Sequence, residues 1–193
     1  MITLKPDDRC FIIGQVGTGK SVLTQFLLKQ YLDQGYDVTV YDSARDHQKL
    51  EEQYPQQVRR IVPALASLED FEHYAEDIFR EGNRILCVEE VEMVCSSSRI
   101  GTGFSRICHL GRHRKLGLIL TARRIADCHK LPPSQTQHFF IFRMMLPNDV
   151  RYLRAFVGDA VDQLSTLKDF HFLHWYRGES EICSPVPLSE GSK

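Results

Sequence analysis

The stretch Gly14-Gln15-Val16-Gly17-Thr18-Gly19-Lys20-Ser21 constrains this chain more than any other. The apolar run Cys10-Phe11-Ile12-Ile13 precedes it, and a helix-like pattern opening with Val22 and Leu23 follows. A glycine-rich turn between a strand and a helix aims successive backbone N–H groups inward, and the helix adds its positive N-terminal end. Such a turn is a seat for phosphate oxygens. Glycine at positions 14, 17 and 19 permits backbone angles and close approach that a Cβ forbids. Lys20 is expected to reach the β- and γ-phosphates of a nucleotide, ATP, and the Ser21 hydroxyl to ligate Mg²⁺. Thr18 and Val22 complete the stretch expected to contact the nucleotide.

The rest of the chain alternates short apolar runs with helical patterns, the signature of an α/β fold with a mostly parallel sheet. Strands are expected over 10–13, 37–41, 59–62, 85–88, 116–121 and 138–144. Residues 67–81 read as an amphipathic helix, with Ser67 as its cap, Asp70 in the capping-box position and Gly82-Asn83 as its stop. Pro147 leads into a helix over 149–157 that Gly158 ends. A C-terminal strand over 170–176, a turn at 177–180 and a short partner over 181–186 predict a small β-hairpin. Residues 1–187 are read as one domain and 188–193 as a loose tail.

Adjacent acids follow the short buried run Ile85-Leu86-Cys87-Val88. Ligands of open parallel sheets gather at the carboxyl ends of strands, so Glu89 and Glu90 are expected beside the phosphate loop. One of the two would serve the Mg²⁺ shell and the other would deprotonate an attacking water; Glu89 takes the metal role and Glu90 the base role. Glu92 is read as an exposed residue. Thr121, ending the fifth strand, stands where a sensor of the γ-phosphate is useful.

Net charge is only −1, but the distribution is uneven. Eight Lys or Arg and one acid lie between Arg99 and Lys130, whereas eight acids lie between Glu69 and Glu90, before Glu92 itself. That contrast predicts a basic face. Arg112 and Arg114 precede the fifth strand, at the end of the sheet away from the phosphate loop. From there an arginine reaches a nucleotide only in a neighbouring subunit. Arg99, in a serine-rich loop, is a candidate for contact with phosphate backbone. Six cysteines without a CxxC pair read as reduced, buried thiols, and the spacing of Cys108, His109, His113, Cys128 and His129 matches no zinc pattern. No apolar run approaches the roughly 18 residues of a membrane span, and the N-terminus lacks the apolar core of a secretion signal. A cytoplasmic protein is expected.

The run GQVGTGKS, the strand ILCVEE ending in two acids, and the segment GRHRKLGLILTARR together resemble the FtsK–HerA superfamily of DNA-pumping ATPases. A bare core of this size is similar to the genome-packaging ATPases of membrane-containing tailless icosahedral phages and archaeal viruses. The resemblance implies a RecA/ASCE-like P-loop NTPase fold and hydrolysis of ATP with Mg²⁺. It further implies double-stranded DNA as the cargo and a ring, pentamer or hexamer. Capsid vertex or viral membrane proteins are implied as partners, in the host cytoplasm or on the virion. By position it assigns Lys20 and Ser21 to nucleotide and Mg²⁺, Glu90 to catalysis, and Arg112 or Arg114 to a trans-acting arginine. The chain departs from the pattern where Glu89 replaces the usual aspartate, Ala122 the sensor glutamine and Arg124 a proline. Two other functions fit the phosphate loop: a morphogenesis or secretion ATPase of the same superfamily, and a non-motor nucleotide switch or kinase.

Overall fold

Strands β1 (Arg9–Ile13), β2 (Val38–Tyr41), β5 (Leu116–Ala122) and β6 (His138–Phe142) are buried at every residue. Burial on both faces is what a parallel sheet covered by helices demands, and it explains why these runs are continuously apolar instead of alternating. The computed structural model, which describes residues 4–187, arranges eight strands in the order β3-β2-β4-β5-β1-β6-β7-β8. Strands β1 to β6, with β3 (Val58–Ile61) and β4 (Arg84–Val88), run parallel. β7 (Phe172–Tyr176) and β8 (Glu179–Cys183) add an antiparallel hairpin at one edge.

Alternate side chains of each strand feed two apolar layers. Cys10 and Ile12 pack toward α1 (Lys20–Asp33), whose Leu23, Leu27, Leu28 and Tyr31 form the covering stripe. Phe11 and Ile13 pack on the other face, toward Phe71, Ala75 and Ile78 of α3 (Leu68–Glu81) and Phe104 and Ile107 of α4 (Thr102–Leu110). Phe71 joins the layers of that face: its ring meets Tyr41 edge-on at 5.0 Å and Phe104 edge-on at 5.2 Å. The Ser67 hydroxyl caps α3 by accepting from the Asp70 amide, but the Asp70 carboxylate accepts from the Tyr41 hydroxyl at 2.7 Å instead of closing a capping box.

Several boundaries differ from the sequence reading, each for a local reason. The hairpin turns on two residues, Arg177 and Gly178, both at positive φ, so β8 starts at Glu179 and the expected partner over 181–186 shifts toward the turn. β6 ends at Phe142 and not at 144, and α6 (Pro147–Val157) begins at the proline itself, a residue suited to a first helical turn. The short helices α2 (Gln48–Gln53) and α5 (Leu131–Ser134) were not anticipated, and α4 was hidden inside the basic segment. The tail over 188–193 lies outside the described residues. Among those described, no helix is long and apolar enough to cross a membrane.

Phe71 is fully buried between two aromatic partners and a helix face. Phe71→Ala is therefore expected to cost about 3–5 kcal/mol. Urea denaturation should show a lower midpoint at unchanged slope; an unchanged midpoint would refute the aromatic bridge as a stabilising contact.

Candidate active site

The central strands β4, β5 and β1 are neighbours, so their carboxyl ends bring three sequence-distant segments together. Parallel register sets Val88 beside Leu120 and Ala122 beside Ile13. Gly14 is fastened to the β5 end through its amide, which donates to Ala122 O at 3.2 Å. A Cβ on Gly14 would stand 2.7 Å from Thr18 Oγ1 and 2.8 Å from Phe142 Cβ, so the loop closes only because the side chain is absent. Gly17 and Gly19 take φ of 78° and 108°. α1 then starts at Lys20 with no side-chain cap and no acid in its first turn. Its N-terminal amides are left for an anion.

The Lys20 ammonium donates to Gln15 O at 3.1 Å, folded back over the loop. Burial pulls its pKa below the usual lysine range, with Glu89 and Glu92 opposing that shift. The Ser21 hydroxyl donates to Asp46 Oδ2 at 2.7 Å. Asp46, absent from the sequence reading, lies in a loop after β2 that Asp42 organises. The Asp42 carboxylate accepts from the amides of Asp46 and His47 and pairs with Arg60 at 2.6 Å.

Glu89 is buried, only 3% exposed, and both of its oxygens have partners. Oε1 meets His47 Nε2 at 2.7 Å, and Oε2 accepts from the Thr121 hydroxyl at 2.5 Å. Burial lowers the His47 pKa, but the hydrogen bond and charge of Glu89 outweigh it, and the net shift is upward. Thr121 also accepts from the Glu90 amide at 3.0 Å. Its hydroxyl is thus committed to the glutamate pair.

Glu90 sits in the left-handed region at φ 52°, ψ 55°, a costly conformation for a residue with a side chain. The twist leaves its carboxylate part-exposed, where Arg123 holds it at 3.1 Å. Glu92 is not the exposed residue expected. Its side chain is 9% exposed, its carboxylate accepts from the Arg123 amide at 2.9 Å, and burial pushes its pKa up. Arg124 pairs with the buried Asp149 at 2.9 Å.

Arg112 and Arg114 lie in a turn before β5, at the opposite end of the sheet from the phosphate loop. Arg112 pairs with Asp7 at 2.9 Å, and the Arg114 guanidinium donates to the carbonyls of Phe79 and Arg80. The basic segment is largely matched by acids. Arg99 pairs with Glu69 at 3.1 Å and Arg106 with Glu76 at 2.6 Å, both acids from α3. The basic face read from the sequence is therefore mostly neutralised, because the acidic helix packs directly against the basic one. The Cys108, His109, His113, Cys128 and His129 set forms no metal-ligating group among the described residues.

Sequence reasoning also missed the space beside the loop. A cavity of about 420 Å³ opens over Gly19, Lys20 and Ser21, walled by Phe142, Phe170, Phe172 and Val186. Its walls are mainly apolar. The signal was present as the alternating aromatics 170 and 172, but nothing local ties them to a loop more than 140 residues earlier.

No family model matches the sequence, and no curated protein matches it. Solved structures do. The genome packaging NTPase B204 from Sulfolobus turreted icosahedral virus 2, in complex with ATP-gammaS, superposes with a TM-score of 0.83 at 20% identity. That match covers 95% of this chain and 100% of the other. VirB4 of Thermoanaerobacter pseudethanolicus gives a TM-score of 0.74 at 9% identity over 94% of this chain and 90% of its own. EssC (ATPases 2 and 3) from Geobacillus thermodenitrificans gives 0.70 at 11% identity over 98% of this chain and 41% of its own. At these identities the likeness shows the fold, which is that of a P-loop NTPase core.

Thr121→Val keeps shape but strips Glu89 and the Glu90 amide of a partner. It should cost about 1–3 kcal/mol in nucleotide-free protein, while Thr121→Ser should stay close to wild type. Equal urea midpoints for Val and wild type would show that the hydroxyl does not hold the glutamate pair.

Proposed function

We propose that this chain is an ATP-hydrolysing motor that moves double-stranded DNA, working as a ring and loading a viral genome into a preformed capsid. The observation that carries the hydrolytic half is the placement of Glu90 on the strand end beside the phosphate loop, twisted outward and paired with Arg123. The likeness to a genome packaging NTPase over nearly the whole of both chains supports the choice of cargo.

The loop amides and the α1 N-terminus receive the phosphates. Lys20 exchanges the Gln15 carbonyl for phosphate oxygens, and the base enters the cavity bounded by Phe142, Phe170 and Phe172. Ser21, Asp46 and Glu89 form an all-oxygen donor set, the kind that suits Mg²⁺. His47 and Thr121 already occupy both oxygens of Glu89, so Ser21 and Asp46 would be the residues freer to hold the ion. When bound, Mg²⁺ neutralises charge on the phosphate oxygens. Glu90, once Arg123 releases it, accepts the proton of a water that attacks the γ-phosphorus, and the bond to the β–γ bridging oxygen breaks. Arg123 thereby takes the sensor position that the absent glutamine leaves open.

Arg112 and Arg114 lie too far from this chain's own loop to serve it, and in a ring one of them would complete the site of the next subunit. Because most of the basic segment is paired internally, DNA contact would have to open exposed pairs such as Arg99–Glu69. A sequence-independent grip on phosphates suits translocation.

Glu90→Gln is expected to bind ATP with near wild-type affinity and to lose turnover by at least about 100-fold, the lower range for a general base. Duplex DNA should stimulate wild-type turnover at low salt and lose that effect as salt rises. Unchanged turnover with duplex DNA at low salt would sink the DNA-motor reading but leave ATP hydrolysis standing. In mixed rings, Glu90→Gln subunits should rescue Arg112→Ala or Arg114→Ala subunits, since each supplies what the other lacks. If neither arginine variant loses turnover, the trans-arginine assignment fails.

A further inference from the structure

The C-terminal hairpin carries a second cluster of chemically active side chains, away from the glutamate pair. Register sets His174 of β7 directly opposite Glu181 of β8, and Cys183 follows two residues on, across from Phe172. Side chains two apart on a strand share a face, so His174, Glu181 and Cys183 project together. A ring nitrogen of His174, a Glu181 carboxylate oxygen and Cys183 Sγ all lie within 4.8 Å of one another. His174 Nδ1 and Glu181 Oε1 are 3.4 Å apart.

Behind His174 runs a chain of polar contacts into the protein. His174 Nε2 meets His138 Nδ1 at 3.0 Å, and His138 Nε2 faces the Asp8 carboxylate at 3.3 Å. The two rings lie parallel, 5.3 Å between centroids. From Asp8 to Glu181 there are three gaps between electronegative atoms, but two neutral imidazoles bring only two N–H groups. One gap therefore lacks a proton, and leaving it between the rings would set two lone pairs 3.0 Å apart in the interior, so it falls at one of the two carboxylates. The buried end claims a proton, because Asp8 is only 7% exposed and a lone pair against a carboxylate there has no solvent to relieve it. His138 then carries its proton on Nε2, His174 donates through Nε2, and the Nδ1 lone pair of His174 points at Glu181. The outer gap calls for a cation, and Cys183 stands beside it.

We propose that His174 Nδ1, the Glu181 carboxylate and the Cys183 thiolate bind one divalent cation of the zinc class, with water in the fourth position. Mixed nitrogen, oxygen and sulfur donors in threes, with an open position, suit a tetrahedral ion of borderline softness and not Mg²⁺. The Asp8–His138 pair supplies the backing that metal-binding imidazoles ordinarily have, fixing the tautomer and orientation of His174. Binding displaces the thiol proton of Cys183 to solvent. The other mixed cluster, His47, Cys87 and Glu89, is fully enclosed and already joined by the His47–Glu89 hydrogen bond. The hairpin ion would pin β8 to β7 just before Val186, which walls the cavity beside the phosphate loop.

The test uses the full chain without nucleotide, stripped with chelator and titrated with Co²⁺, so it stands independently of the motor reading. One Co²⁺ per chain is expected, with visible bands of a tetrahedral ion and a near-ultraviolet thiolate-to-metal absorption. Cys183→Ser should lose the near-ultraviolet band. Glu181→Gln, at an exposed side chain, should weaken affinity without affecting folding. His138→Gln should keep the band but weaken affinity by about 10–100-fold, the usual effect of losing the group behind a ligand. His113→Ala, an exposed histidine elsewhere, should bind as wild type does. A thiolate band that survives in Cys183→Ser, or a wild-type spectrum showing only six-coordinate Co²⁺, would overturn the site.

Discussion

A buried carboxylate must have its oxygens satisfied, and the arrangement around Glu89 follows from that requirement. The side chain is one methylene longer than an aspartate and stands in a place with almost no water. Thr121 reaches it from β5 and His47 reaches it from the loop after β2. His47 is placed in turn by Asp42, which receives two amides of its own loop and the Arg60 side chain of β3. Four consecutive strands, β3-β2-β4-β5, are thereby tied at their carboxyl ends through polar side chains around one glutamate. Removing either partner leaves a buried carboxylate oxygen unsatisfied, which costs about 1–3 kcal/mol, more than an exposed ion pair contributes. The phosphate loop is fastened to the same assembly through the Gly14–Ala122 hydrogen bond. Asp46, carried by the Asp42 loop, brings a second carboxylate to Ser21.

Charge is handled differently on the surface. The acidic stretch that includes α3 and the basic stretch that includes α4 look like opposite poles of the sequence, yet the two helices pack together and their charges meet in pairs. Each exposed pair contributes little to stability. Their collective effect is on the field, since matched charges within a Debye length leave little potential to attract a polyanion from a distance. Under the proposed function, DNA would have to be held by local contacts and not by long-range attraction to any one subunit.

What was legible in the sequence was local. The phosphate loop announces itself because glycine, lysine and serine must stand at fixed spacing to use the backbone and the helix end together, and the glutamate pair because it follows a buried strand. The central strands were placed within a residue or two, since burial on both faces forces continuous apolar runs. What escaped was long-range. His47 and Asp46 are ordinary polar residues until β2 is set beside β4, and Glu92 reads as exposed until Arg123 arrives from β5. The hairpin was shifted because two positive-φ residues, Arg177 and Gly178, make a tighter turn than the four-residue one expected. The aromatic cavity needed the last strands folded against the first loop, a relation that periodicity does not encode.

The division of the site along the chain has a mechanical consequence. The early half supplies the phosphate seat, and the middle supplies Glu89, Glu90, Thr121 and Arg123. The late hairpin and the segment after it supply the wall where a base would rest. Glu90 holds a left-handed backbone that an unstrained strand end would not adopt, and two contacts across the β4–β5 boundary maintain it: its amide on Thr121 and its carboxylate on Arg123. The amide contact is to a fully buried threonine, whereas the carboxylate contact is to an arginine exposed to solvent, where an ion pair is weak. In the reaction proposed above, a change in charge at the phosphate seat would act first on the weaker of the two, so Glu90 would turn toward a water while Thr121 keeps its backbone fixed. The strain is thus kept by the structural bond and the freedom by the ionic one, which lets a base be held in readiness without being held in place.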